Sequence, residues 1–95
     1  MDGQASISTE ILGRYAGDAA REIDGVRDLH GRHAVKVEDG DGGVRVELHL
    51  AVEWGASIPS VGRKVQDSVC EYLLRMADVE PASVEIVVDE IGPRA

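Results

Sequence analysis

Apolar residues along the chain fall into five stretches, and their spacing switches between the helical and the strand period. From Ile7 the positions Ile11, Leu12, Tyr15, Ala16, Ala19, Ala20 and Ile23 recur at helical spacing, with Ser8 placed to cap the start and Gly25 to stop the helix. Asp28 to His33 is polar and contains glycine, which predicts a loop. Val35 and Val37 then alternate with Lys36 and Glu38, the period-two pattern of a short strand with one face in a core. Asp39-Gly40-Asp41-Gly42-Gly43 supplies residues tolerant of positive φ and reads as a hairpin connection. The clearest run follows, in which Val44, Val46, Leu48, Leu50, Val52 and Trp54 alternate with Arg45, Glu47, His49, Ala51 and Glu53. It predicts one long strand whose inward face is apolar and whose outward face is mostly charged, as in a sheet covered on one side only.

Gly55 ends that run, and Pro59 suits a first helical turn, where a missing N–H is no loss. Val61, Val65, Val69, Tyr72, Leu73 and Met76 form the stripe of a second helix, with Arg63, Lys64, Asp67, Glu71 and Arg75 turned elsewhere. After Pro81, Val84, Ile86 and Val88 oppose Glu85, Val87 and Asp89 in a last strand, and Gly92-Pro93 closes the chain's ordered part. The order is therefore α-β-β-α-β, an α+β fold with two helices packed on one face of a three-stranded sheet. Whether the last strand borders the first or the second is not legible in the periodicity. A single domain over residues 1–95 is expected, with an ordered core over 7–91.

Charge narrows the function. Eighteen acidic against ten basic residues give a net charge of −8, a field that repels nucleic acid and anionic lipid head groups. The acids are spread along the chain, so they do not form a separate tail. A single cysteine, Cys70, forms no internal disulfide and fits a reducing cytoplasm. The opening Met1-Asp2-Gly3-Gln4 lacks the basic and apolar segments of a secretory leader, and no apolar stretch approaches the roughly 20 residues of a membrane span. Any work at a membrane therefore calls for another molecule to hold the chain there.

Several residues invite chemistry and fall short of it. His30 and His33 have a spacing that two metal-bound imidazoles could share, but a zinc site wants three or four ligands. Cys70 sits beside the apolar stripe of the second helix, where a thiol is ordinarily inert. Gly13 and Gly17 are spaced to let the first helix approach the sheet or the second helix closely. No phosphate loop, paired-carboxylate motif or aromatic stacking platform is present. The feature with most weight is the outward sheet face, where Arg45, Glu47, His49 and Glu53 stand with Lys36, Glu38, Glu85 and Asp89. A single-layer sheet leaves one face and two edges uncovered, and such edges invite pairing with another chain.

Three segments carry a family resemblance. Tyr15-Ala16-Gly17-Asp18-Ala19-Ala20-Arg21-Glu22-Ile23-Asp24-Gly25-Val26 resembles the helix and turn that open domains of the alkaline shock (envelope stress response) family. Val46-Glu47-Leu48-His49-Leu50-Ala51-Val52-Glu53-Trp54-Gly55 with Ile58-Pro59 and the Val61/Val65/Val69 helix is similar to its central block. Met76-Ala77-Asp78-Val79 and Val84-Glu85-Ile86-Val87-Val88 resemble its last turn and strand, although Asp78 stands where related chains often carry a glycine. The resemblance implies a bacterial, cytoplasmic, non-enzymatic scaffold of envelope stress homeostasis, without a cofactor. It also implies self-association and, in some members, recruitment to the inner face of the membrane by an integral partner, without direct insertion. On this reading Arg45, Glu47, His49 and Glu53 of the sheet face and Arg63 and Lys64 of the second helix bind partners. Competing readings are a regulator of a metabolic enzyme complex and a small RNA-binding module, the latter opposed by the charge.

Overall fold

The computed structural model describes residues 7–93, so Met1-Asp2-Gly3-Gln4, read above as unlike a secretory leader, lies outside the described residues. Helix α1 spans Thr9–Arg21, and Ser8 caps it: the Ile11 N–H donates to the Ser8 hydroxyl at 3.2 Å. Leu12, Ala16, Ala19 and Ala20 are its buried face, whereas Ile11 is exposed. The helix stops at Arg21, before Gly25, and a turn leads into strand β1, Val26–Leu29. Strand β2 covers Val35–Gly40 and β3 covers Gly43–Val52, joined by a two-residue turn at Asp41-Gly42. Helix α2 spans Ile58–Ala77 with Ser57 as its cap and Pro59 in the first turn, and β4 spans Ser83–Ile91.

The order is thus α-β-β-β-α-β, with one strand more than the periodicity predicts. Asp28 and Leu29 belong to β1 and not to the predicted loop, because β1 is only four residues long and a bulge at Arg27 breaks its alternation. The sheet is nevertheless three strands wide. β1 and β2 lie in succession along one side of β3, both antiparallel to it, and β4 lies along the other side, parallel to it. The last strand therefore borders the middle run, and β3-α2-β4 forms a crossover of the kind that puts a helix on the sheet face.

Val46, Leu48, Leu50 and Val52 of β3 are buried under Leu12, Ala16 and Ala20 of α1 and Val61, Val65, Val69 and Leu73 of α2. α1 covers the β1/β2 side closely. A Cβ added at Gly17 would lie 3.1 Å from Leu29 Cδ1, and one at Gly13 would lie 3.5 Å from Val35 Cγ1, so these glycines bring the helix down onto the sheet. Gly25 marks the tightest approach: its φ is +97° and an added Cβ would lie 2.7 Å from Val61 Cγ2. The stripes end earlier than their spacing implies. Trp54 follows the end of β3 and is 57% exposed, and Met76 in the last turn of α2 is also exposed.

Candidate functional site

The face of the sheet turned away from the helices is built by β-strand alternation. Burial of Val46, Leu48 and Leu50 forces Arg45, Glu47 and His49 outward, and the neighbouring strands add Lys36, Glu38, Glu85 and Asp89 to the same face. Across β2 and β3 the pairs are of opposite sign, Lys36 facing Glu47 and Glu38 facing Arg45. Across β3 and β4 the sign pattern changes, since Glu47 faces Glu85. The acids collect toward β4, where Glu85, Asp89 and Glu90 are exposed on a nine-residue strand that holds no lysine or arginine.

His49 stands between these two regions. Its Nδ1 lies 2.6 Å from Asp89 Oδ2 and its Nε2 lies 2.7 Å from Glu47 Oε2. Both partners are carboxylates, which only accept, so both ring nitrogens serve as donors and the arrangement favours the imidazolium. The Glu47 and Asp89 bonds accordingly raise the pKa of His49 above its ordinary value. The Asp89 side chain reaches His49 at the bulge where the register of β3 and β4 shifts after Leu50. Close by, His30 Nδ1 lies 3.5 Å from Glu90 Oε1, a juxtaposition that follows from β1 joining the sheet.

The remaining sequence-derived residues lie apart from this group. Glu53 is one residue past β3, beside Arg27 and Trp54 at the end of the sheet. Arg63 and Lys64 are exposed on α2, in the helix layer on the opposite side of the sheet. The structure therefore gathers Arg45, Glu47 and His49 on one surface and gives Arg63 and Lys64 another. His30 and Glu90 carry no signal as sheet-face residues in the sequence, because β1 has no readable alternation and the β4 bulge moves Glu90 out of phase. Cys70 is partly buried, and burial, followed by Asp67 and Glu80, pushes its thiol pKa up. A thiol so placed stays protonated and is a poor nucleophile or ligand. Among the described residues no three His, Cys, Asp or Glu side chains converge as metal ligands, and no helix is long and apolar enough to cross a membrane.

Residues 30–93 match the family model of alkaline shock protein 23, described as a family of cell envelope-related function. The chain belongs to the alkaline shock protein 23 family. It is 30% identical to the uncharacterized protein YqhY of Bacillus subtilis, with 88% of this chain and 73% of that protein aligned. It is 26% identical to the uncharacterized protein Spy1535 of Streptococcus pyogenes, over 94% of this chain and 79% of that protein. Among solved structures, a doubly substituted MamM CTD superposes with a TM-score of 0.67 at 15% identity, covering 88% of this chain and 84% of that one. A further MamM CTD variant gives 0.62 at 12% identity, covering 90% and 100%. At such identity the likeness shows the fold. Within the alkaline shock frame, the departure at Asp78 has a structural answer: Asp78 caps α2 in the left-handed conformation, φ 55° and ψ 36°, which glycine adopts more readily.

Proposed function

We propose that this alkaline shock family member is a non-catalytic docking module of the bacterial envelope, acting in the cytoplasm at the inner face of the membrane. It associates with further copies of itself through the uncovered sheet face, and a membrane-anchored protein holds it in place. The observation that carries this reading is the row of opposite charges across β2 and β3. Lys36 and Arg45 alternate with Glu38 and Glu47 on an exposed surface, so a second copy turned to face it meets acids with bases and bases with acids. The chemistry of the polar groups supports a binding role over catalysis. Both nitrogens of His49 are engaged by carboxylates and the thiol of Cys70 is held protonated, which leaves neither poised as base or nucleophile.

Reversing two charges tests this. Lys36→Glu together with Arg45→Glu turns the whole row acidic, and light scattering should then report a mass falling from an oligomer to the 10.2 kDa monomer, with circular dichroism unchanged. An oligomer whose mass survives the double reversal, or a wild-type protein that is monomeric at high micromolar concentration, would remove the sheet face as the self-association surface. Recovery of the wild-type protein in a membrane pellet that also contains an integral partner tests the second half of the proposal.

A further inference from the structure

We propose that the free edge of β4 is a strand-addition site for an extended segment of a partner protein in which apolar residues alternate with basic ones. Among the described residues no strand pairs with the outer side of β4. The Gly92 N–H donates to the carbonyl of Val52, whose parallel partner is Ile91, and the same offset at Val46↔Val84 and Leu48↔Ile86 turns the backbone groups of Glu85 and Val87 toward β3. Up to the bulge the even-numbered residues turn theirs outward: Gln66 Nε2 donates to the Val84 carbonyl at 2.9 Å, and the backbone groups of Ile86 and Val88 continue that edge. These outward amides and carbonyls are the hydrogen-bonding template of an added strand.

The two sides of that edge define the side chains it accepts. On the helix side a groove of about 310 Å³ runs between α2 and β4, floored by Ile86 and Val88 and walled by Ile58 and Pro59. Gly62 opens the groove further. It sits inside α2, where glycine costs up to about 1 kcal/mol relative to alanine, and a Cβ there would meet nothing within 4 Å. No packing among the described residues explains it, whereas an incoming apolar side chain would use the notch. Arg63 on the groove's rim disfavours a basic residue on that side. On the uncovered face, Glu85, Asp89 and Glu90 lie along the strand and call for basic residues opposite them. A second copy of this chain fits poorly: two β4 edges paired about a two-fold axis would set these acids against one another. The inference uses the docking reading above only in assuming a protein partner. It concerns a different surface from the charge row on β2 and β3, so each test reads its own surface.

Fluorescence anisotropy with labelled nine-residue peptides tests it. An alternating lysine/valine peptide should bind, while a glutamate/valine peptide and a lysine/valine peptide of equal charge interrupted by prolines should bind at least about tenfold more weakly. Ile86→Pro removes an amide that faces away from the ladder, a position where an edge strand tolerates proline, and should weaken binding about tenfold with an unchanged circular dichroism spectrum. Gly62→Leu fills the notch with a better helix former and should weaken binding without lowering the melting temperature. The proposal is overturned if the proline-interrupted peptide binds as well as the regular one, since attraction is then charge alone. No binding of any peptide overturns it too, as does a wild-type dimer that Ile86→Pro converts to monomer, which would give the edge to a second copy.

Discussion

Leu48 and His49 are adjacent on β3 and answer to opposite demands. Leu48 is fully buried beneath both helices, and its neighbours on that face are valines and leucines. The His49 side chain keeps 26% of its surface exposed and binds two carboxylates on a face that no helix or strand of the described residues covers. One residue of displacement along a strand thus separates the groups that hold the fold together from those that are available to other molecules. The helix-covered face spends its chemistry on packing. The bare face keeps charges whose pairing energies are small because water competes for them. A surface that contributes so little to stability can be altered without unfolding the domain, which is what a recognition surface requires.

The sharpest way to break this comparison is to cut into the covered face. Leu48→Ala should lower the unfolding free energy by about 2–5 kcal/mol in urea denaturation, a large share of what a domain of this size has. A loss below about 1 kcal/mol would mean that the helices do not clamp this face as described. Gly25→Ala comes next. It places a methyl group 2.7 Å from Val61 Cγ2 at a φ of +97°, and it should cost about 1–3 kcal/mol. Combining it with Val61→Ala should give a loss smaller than the sum of the two single changes, because the clash is then relieved.

The smallest effect belongs to the bare face and depends on pH. The pKa of His49 in the folded protein is raised above 6.5, so its ion pairs contribute fully below the unfolded value and are lost as pH rises through the raised one. Wild type should therefore exceed His49→Gln in stability by at most about 1 kcal/mol near pH 6, after allowing for solvent screening. At about pH 9, well above the ordinary histidine range, the advantage should vanish. A difference between the two proteins that grows with alkalinity would show that the imidazolium is not the form bound by Glu47 and Asp89.

Much of this was determined by the order of the residues alone. Ser8, Ser57 and Pro59 mark helix starts by local chemistry that needs no partner, and the stripe Val61, Val65, Val69 and Leu73 can be buried in only one way. The alternation from Val44 to Val52 fixes which side chains of β3 are covered and which, Arg45, Glu47 and His49, are left for other molecules, because period two admits no other assignment. Tertiary structure decided the rest. The place of β4 beside β3, the capture of Val26–Leu29 as a strand, the departure of Trp54 from the core and the meeting of His49 with Asp89 all depend on contacts between residues far apart in the chain. Periodicity records which face of an element is wet or dry and carries no information about its neighbour. A short bulged strand such as β1 exists only because the edge of β3 offers it hydrogen bonds, so its own residues cannot announce it.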